Sequence, residues 1–311
     1  MPWLTIAILA YVVLALVNLA DKFLLDKVLP SSKTYTFLIG LLSLLAFLLA
    51  PWFLEWPGIG YFFLNLITGA LFPMALLLLY QSLKKGDASV VIPLIGGSTQ
   101  IFTIILAILF LGESFSPRQW LALLFLVIGL LIISWFPSGH HWWTKVFAWF
   151  EVRGEKHWRV TLGALASALA FAVFMILSKF AYEQQTFLSG FIWIRAGSFL
   201  AVLGLLLNRA SRKEISKHLK KLFRGKKEFL FLGNQALSAV GAFLQQYAVF
   251  LGSVAIVNAL QGFQYALLLA LGGIITVFYP KIMKENISKK MMVQKLVAVL
   301  LISIGLYFIA T

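Results

Sequence analysis

The chain has 311 residues, of which 61% are hydrophobic and 12% charged, with a formal net charge of +15 and no cysteine. A soluble domain of this length could not bury so much apolar surface, and without cysteine neither a disulfide framework nor a thiolate metal site can form. The basic excess lies almost wholly between apolar runs, where membrane insertion accounts for it, so no nucleic-acid partner is expected.

Apolar runs long enough for a ~30 Å hydrocarbon core recur along the chain. Their expected positions are about 4–21, 35–54, 60–80, 88–111, 117–135, 160–181, 187–207, 228–250, 254–279 and 292–310. No basic residue precedes Thr5 to Ala20, so this run reads as a first span and not as a cleaved signal peptide. On it Tyr11, Ala15, Asn18 and Lys22 recur at helical spacing and share a face. Span four carries Pro93, Gly96, Gln100 and Thr103 in the same way. The break FLGESFSPRQW at 110–120 then predicts a transmembrane hairpin. Gly112 ends one helix, Ser116 caps the next, and Pro117 takes its first position.

The link 137–158 mixes aromatic residues with Lys145, Glu151, Arg153, Glu155 and Lys156, a composition suited to an amphipathic helix at the membrane interface. In span seven Arg195 is the one charged side chain well inside an apolar run, at an insertion cost of about 2.5 kcal/mol or more. Two readings stay open for it: it meets an anionic substrate group or a gate, or it stacks on aromatics such as Trp193 and caps carbonyls. The link 208–228 carries nine basic residues and reads as a solvated or headgroup-facing arm. Span eight places Asn234, Ser238, Gly241 and Gln245 on one face with Gln235 and Gln246 beside it, and span nine groups Asn258, Gln261 and Tyr265. Such polar stripes either glue helices together, at ~1 kcal/mol per hydrogen bond, or line an aqueous cavity.

The hairpin occurs twice. GDASVVIPLIG from Gly86 lies on GSVAIVNALQG from Gly252, while Asp21-Lys22-Phe23 aligns with Ser178-Lys179-Phe180 and Gly40 with Gly197 at one constant offset. Five spans per half make the second half enter the bilayer from the opposite face, so the fold class expected is an all-α membrane protein of ten transmembrane helices in two inverted five-helix repeats. The repeats are 1–136 and 159–311, joined by the interfacial linker 137–158.

The LGE break with PRQW opening span five, the lysines ending spans one and six, and the arginine of FIWIRAGSFLAVLGLLL together resemble the drug/metabolite transporter superfamily, and within it the EamA-like transporters. The resemblance implies a central substrate cavity surrounded by spans one, three, four, six, eight and nine, and both termini in the cytoplasm. With the stripes above, it makes Asn18, Lys22, Gln100, Asn234, Gln245, Asn258, Gln261, Tyr265 and Arg195 the candidate substrate-binding residues. The first half has no arginine matching Arg195, which excludes a symmetric two-arginine site.

The four histidines lie in links, no HExxH occurs, and no acidic pair sits at helical spacing in a span, so neither an enzyme nor a metal or organic cofactor is expected. The expected function is secondary transport of a small polar or zwitterionic metabolite, an amino acid among the options, across the plasma membrane as an exporter or exchanger. The rival is a membrane scaffold that uses the basic 208–228 arm. Expected partners are the substrate and the lipid bilayer, with a homodimer left open. All Lys and Arg except Arg118, Lys179 and Arg195 fall in the links after spans one, three, five, seven and nine, so the charge rule puts those links in the cytoplasm and both termini outside, against the family's arrangement.

Overall fold

The computed structural model describes residues 2–28, 31–85, 88–134, 155–222, 226–278 and 289–310, and among them every regular element is helical. In chain order these are α1 (Pro2–Val28), α2 (Ser32–Leu42) running into a 3₁₀ segment (Ser43–Leu49) and α3 (Ala50–Phe53), α4 (Ile59–Lys85), α5 (Ala88–Leu111) and α6 (Pro117–Ser134). The second half holds α7 (Glu155–Gln184), α8 (Phe187–Gly204), α9 (Arg209–Leu222), α10 (Lys226–Leu251), α11 (Val254–Ala259), α12 (Gln261–Phe278) and α13 (Lys289–Ala310). Seven stretches of the described residues are long and apolar enough to cross a membrane, and Pro117–Ile132 and Leu296–Ala310 are shorter apolar helices. The linker expected at 137–158 falls outside the described residues up to 154; its end, from Glu155, is the first turn of α7.

Local chemistry sets several of these boundaries. Gly112, at φ +64°, takes the left-handed conformation that ends α5 cheaply. Ser116 and Gln119 then cap α6 reciprocally: Gln119 N–H donates to Ser116 Oγ at 3.3 Å and Ser116 N–H to Gln119 Oε1 at 2.8 Å. The second span is not one regular helix, because its middle tightens to 3₁₀ next to Ser43, whose hydroxyl donates back to Ile39 O at 3.1 Å. The ninth is interrupted at Leu260, between α11 and α12.

Long seams join the two halves: α1 packs on α10, α4 on both α7 and α8, α5 on α7, and α6 on α13. The α4–α8 seam answers a backbone problem. Pro73 inside α4 has no N–H, so the carbonyl of Gly69 one turn earlier loses its helical donor. Ser198 of α8 supplies it, donating to Gly69 O at 2.7 Å. Glycine on both sides allows that approach, since a Cβ on Gly69 would run into the backbone of Ile194 and one on Gly197 into that of Leu66.

The arm 208–228 is not simply solvated. Its α9 is capped by Asn208, whose Oδ1 accepts from Ala210 and Ser211 N–H, and it buries Ile215 against Phe37 and Val202. Ser31 Oγ donates to Glu214 Oε1 at 2.6 Å and Lys33 Nζ to Ser211 Oγ at 2.9 Å, so α9 is pinned to the start of α2.

Candidate functional site

A cavity of about 450 Å³ lies between α1, the α2–3₁₀ segment, α4, α8 and α10. Asn18 enters from α1; Tyr35, Ser43 and Leu49 from the second span; Phe72 and Tyr80 from α4; Arg195 from α8; and Gln235, Ser238 and Phe243 from α10. Its size is that of a small-molecule site. Most of its wall is apolar, and no Asp or Glu is among the described residues that line it.

Arg195 is the charged group of the cavity and is only 8% exposed. Its guanidinium carbon lies 4.8 Å from the Phe191 ring centroid and 5.7 Å from that of Phe72, so the arginine does stack on aromatic rings. Trp193 is not its partner: that indole donates to Glu55 O at 2.9 Å and packs edge-on against Trp56 and Phe62.

At one end the cavity stops against an aromatic plug. Phe187 stands among Tyr182, Phe243, Tyr247 and Phe250 at centroid separations of 4.9, 5.6, 5.0 and 5.4 Å, with Phe191 at 5.9 Å. These rings sit toward the end of the bundle that carries the 185–186 and 252–253 links. At the other end Tyr35 and Tyr80 meet edge to face at 5.1 Å, and Gln235 Nε2 donates to Tyr35 OH at 3.4 Å.

Of the residues expected to bind substrate, the structure brings Asn18 and Arg195 together in this cavity. Lys22 lies on α1, but its side chain is outside the described residues. The remaining candidates do not line the cavity. Gln100 is fully buried and donates to Asn258 O at 2.7 Å, while Asn258 Nδ2 donates to Thr103 Oγ1 at 3.0 Å, so the polar stripes of α5 and α11 face each other in a dry contact. Asn234 donates to Val17 O at 3.2 Å, and Gln245 Nε2 donates to Tyr11 OH at 3.1 Å, which itself donates to Val257 O at 2.7 Å. Gly241, between those two amides, abuts Leu14. The stripe Asn234, Gly241 and Gln245 is therefore the α10 side of its seam with α1, the helix-gluing use of such residues. Gln261 and Tyr265 are half-buried on α12 away from the cavity, Tyr265 against the main apolar core. Ser238 is the member of the span-eight stripe that reaches the cavity.

The apolar wall residues Leu45, Ala236, Ala239 and Val240 belong to no polar stripe, and the alanines carry no sequence signal that distinguishes a cavity wall from a helix contact. The spans around the cavity are one, two, three, seven and eight, so spans four, six and nine of the expected set do not line it.

Residues 1–135 match the family model of the EamA-like transporter family. An uncharacterized protein of Methanocaldococcus jannaschii is 38% identical over 69 residues, which is 22% of this chain, and the chain spans about half the length of that relative. A solved crystal structure superposes with a TM-score of 0.62 over 98% of this chain and 94% of its own at 17% identity, so the two share a fold over nearly their whole length. The apolar helices make the chain a multi-pass membrane protein.

Proposed function

We propose that the chain is a plasma-membrane secondary transporter whose ten crossings form two inverted repeats, 1–136 and 159–311, and that it carries a small polar or zwitterionic metabolite by alternating access, as an exporter or exchanger. The observation that carries this reading is a cavity walled by helices of both halves in a chain with an EamA-like first half. Inverted repeats should also pair their contacts: α1 lies on α10 as α7 lies on α4, α5 meets α7 as α12 meets α1, and α6 meets its counterpart α13. The pairing fails at one place. α4 is sealed onto α8, whereas α2 and α10, the corresponding pair, touch little and leave the cavity between them. One gate shut while its counterpart stands open is the asymmetry that alternating access requires.

Among the described residues no carboxylate lines the cavity to bind and release a proton during the cycle, so the proposed mode is facilitated diffusion or solute exchange. On the charge rule the cytoplasmic face is the one bearing the links after the odd spans, and both termini lie outside. The test is counterflow of a metabolite panel in proteoliposomes, with Ala239→Trp filling the cavity. Solute movement abolished by the tryptophan supports transport. Movement equal in both proteins would overturn it.

The scaffold reading draws on the exposed basic face of α9, with Arg212, Lys213 and Lys217. Because α9 is docked through Ile215, deleting the arm would disturb the fold, and neutralising these three to glutamine is the cleaner comparison. Flux that survives neutralisation favours transport over scaffolding.

A further inference from the structure

We propose that the cavity's ligand is an amphiphilic organic anion, with a carboxylate or similar head on Arg195 and an apolar body against the wall between the 3₁₀ segment and α10. This rests on the transport reading and narrows its substrate class.

The head follows from what stacking leaves unsatisfied. Phe191 and Phe72 meet the guanidinium through their rings, an interaction that spends the positive charge but not the N–H edges, and Arg195 has no hydrogen-bond acceptor or carboxylate among the described residues. An arginine 8% exposed, held between two rings and edged toward a cavity, is pre-organised to take a planar anion through two parallel hydrogen bonds. Asn18 also lines the cavity, and its side chain makes no hydrogen bond among the described residues, which gives the anion's second oxygen or a nearby carbonyl a further donor.

Among the described residues no carboxylate lines the cavity, which argues against a cationic group on the ligand: a zwitterion's ammonium would have to share the cavity with Arg195 and no counter-ion there. The body follows from the wall. Leu45 and Val240 are 44% and 51% exposed, Ala236 and Ala239 are exposed as well, and all four lie in mid-helix where the bundle meets hydrocarbon. The gap between the 3₁₀ segment and the alanine face of α10 thus opens sideways at bilayer depth, so an apolar tail can lie in it at no cost in hydration.

The experiment measures binding to the full chain in nanodiscs by calorimetric titration, with 3-phenylpropionate, its neutral amide and phenylalanine as probes. The carboxylate should bind at least about tenfold tighter than either of the others, the ratio expected for a charge-assisted bidentate pair. Arg195→Gln should abolish the preference over the amide, and Ala239→Phe should weaken carboxylate and amide alike. Equal binding of carboxylate and amide to the unaltered protein overturns the proposal, as does tighter binding of phenylalanine, a preference that persists in Arg195→Gln, or no binding of the carboxylate at millimolar concentration. If Arg195→Gln does not fold, the unaltered protein's ratio and the Ala239→Phe result decide the matter by themselves. A chain that binds the carboxylate but moves nothing across liposomes would fail the transport reading and keep this one; a transporter indifferent to the anion would do the reverse.

Discussion

Replacing Gly69 by alanine should be among the most damaging single-methyl changes in this chain. A Cβ there would collide with the Ile194 carbonyl oxygen and lie 2.7 Å from Ser198 N and 2.9 Å from Gly197 Cα, all backbone atoms that cannot rotate away. The helices must then part, an overpacking cost of about 1–3 kcal/mol. Parting also stretches the 2.7 Å bond from Ser198 Oγ to Gly69 O, worth ~1 kcal/mol in a membrane, and leaves a carbonyl that Pro73 has already deprived of its helical donor. Alanine's better helix propensity returns about 1 kcal/mol, so the net loss is about 2 kcal/mol. Gly60 on the same helix is the control, because nothing lies within 4 Å of its added Cβ and Gly60→Ala should gain ~0.5–1 kcal/mol. The assay is reversible unfolding in mixed micelles, read by tryptophan fluorescence. A Gly69→Ala protein as stable as Gly60→Ala would refute the close backbone crossing of α4 and α8, and with it the sealed gate opposite the open one.

Gln100→Leu should leave proteoliposome flux unchanged, since Gln100 lies outside the cavity and its own Oε1 has no partner, whereas Asn18→Leu should lower flux several-fold; the opposite ranking would move the site to α5 and α11. Glu113→Ala removes the acceptor for Ser253 Oγ at 2.6 Å and Val254 N–H at 2.9 Å, so the start of α11 loses a cap worth ~1 kcal/mol, to be read as a lower unfolding midpoint with the neutral amide of Glu113→Gln and the shorter carboxylate of Glu113→Asp compared beside it. The chain lacks cysteine, so a single Ser238→Cys gives a background-free probe of the cavity; an impermeant maleimide should reach it from the cytoplasmic side, and labelling only from outside would reverse the assigned orientation. Phe187→Ala removes the centre of the aromatic plug and should let the same reagent reach Ser238→Cys from both sides, at a cost of about 3–5 kcal/mol in stability.

What the sequence determined by itself was whatever depends on neighbours along the chain. Apolar runs of bilayer length need a membrane whatever they pack against, and the Gly112, Ser116 and Pro117 turn is decided within a few residues by φ preference and capping. The cost of an unpaired Arg195 singled it out for the same reason: a charge in hydrocarbon must be answered wherever its helix goes. Only the tertiary structure decided which face meets which. Asn234, Gln245, Gln100 and Asn258 are amides that need a partner in a dry environment, and a neighbouring helix satisfies them as well as a substrate would, so helical spacing alone could not separate the α1–α10 seam from the cavity. Conversely, the apolar part of the cavity's wall includes four alanines and four leucines, which are silent in sequence because their role there is to leave space. The donation from Ser198 to the carbonyl freed by Pro73 likewise joins residues far apart in the chain, and it lies in the seam that packs α4 on α8.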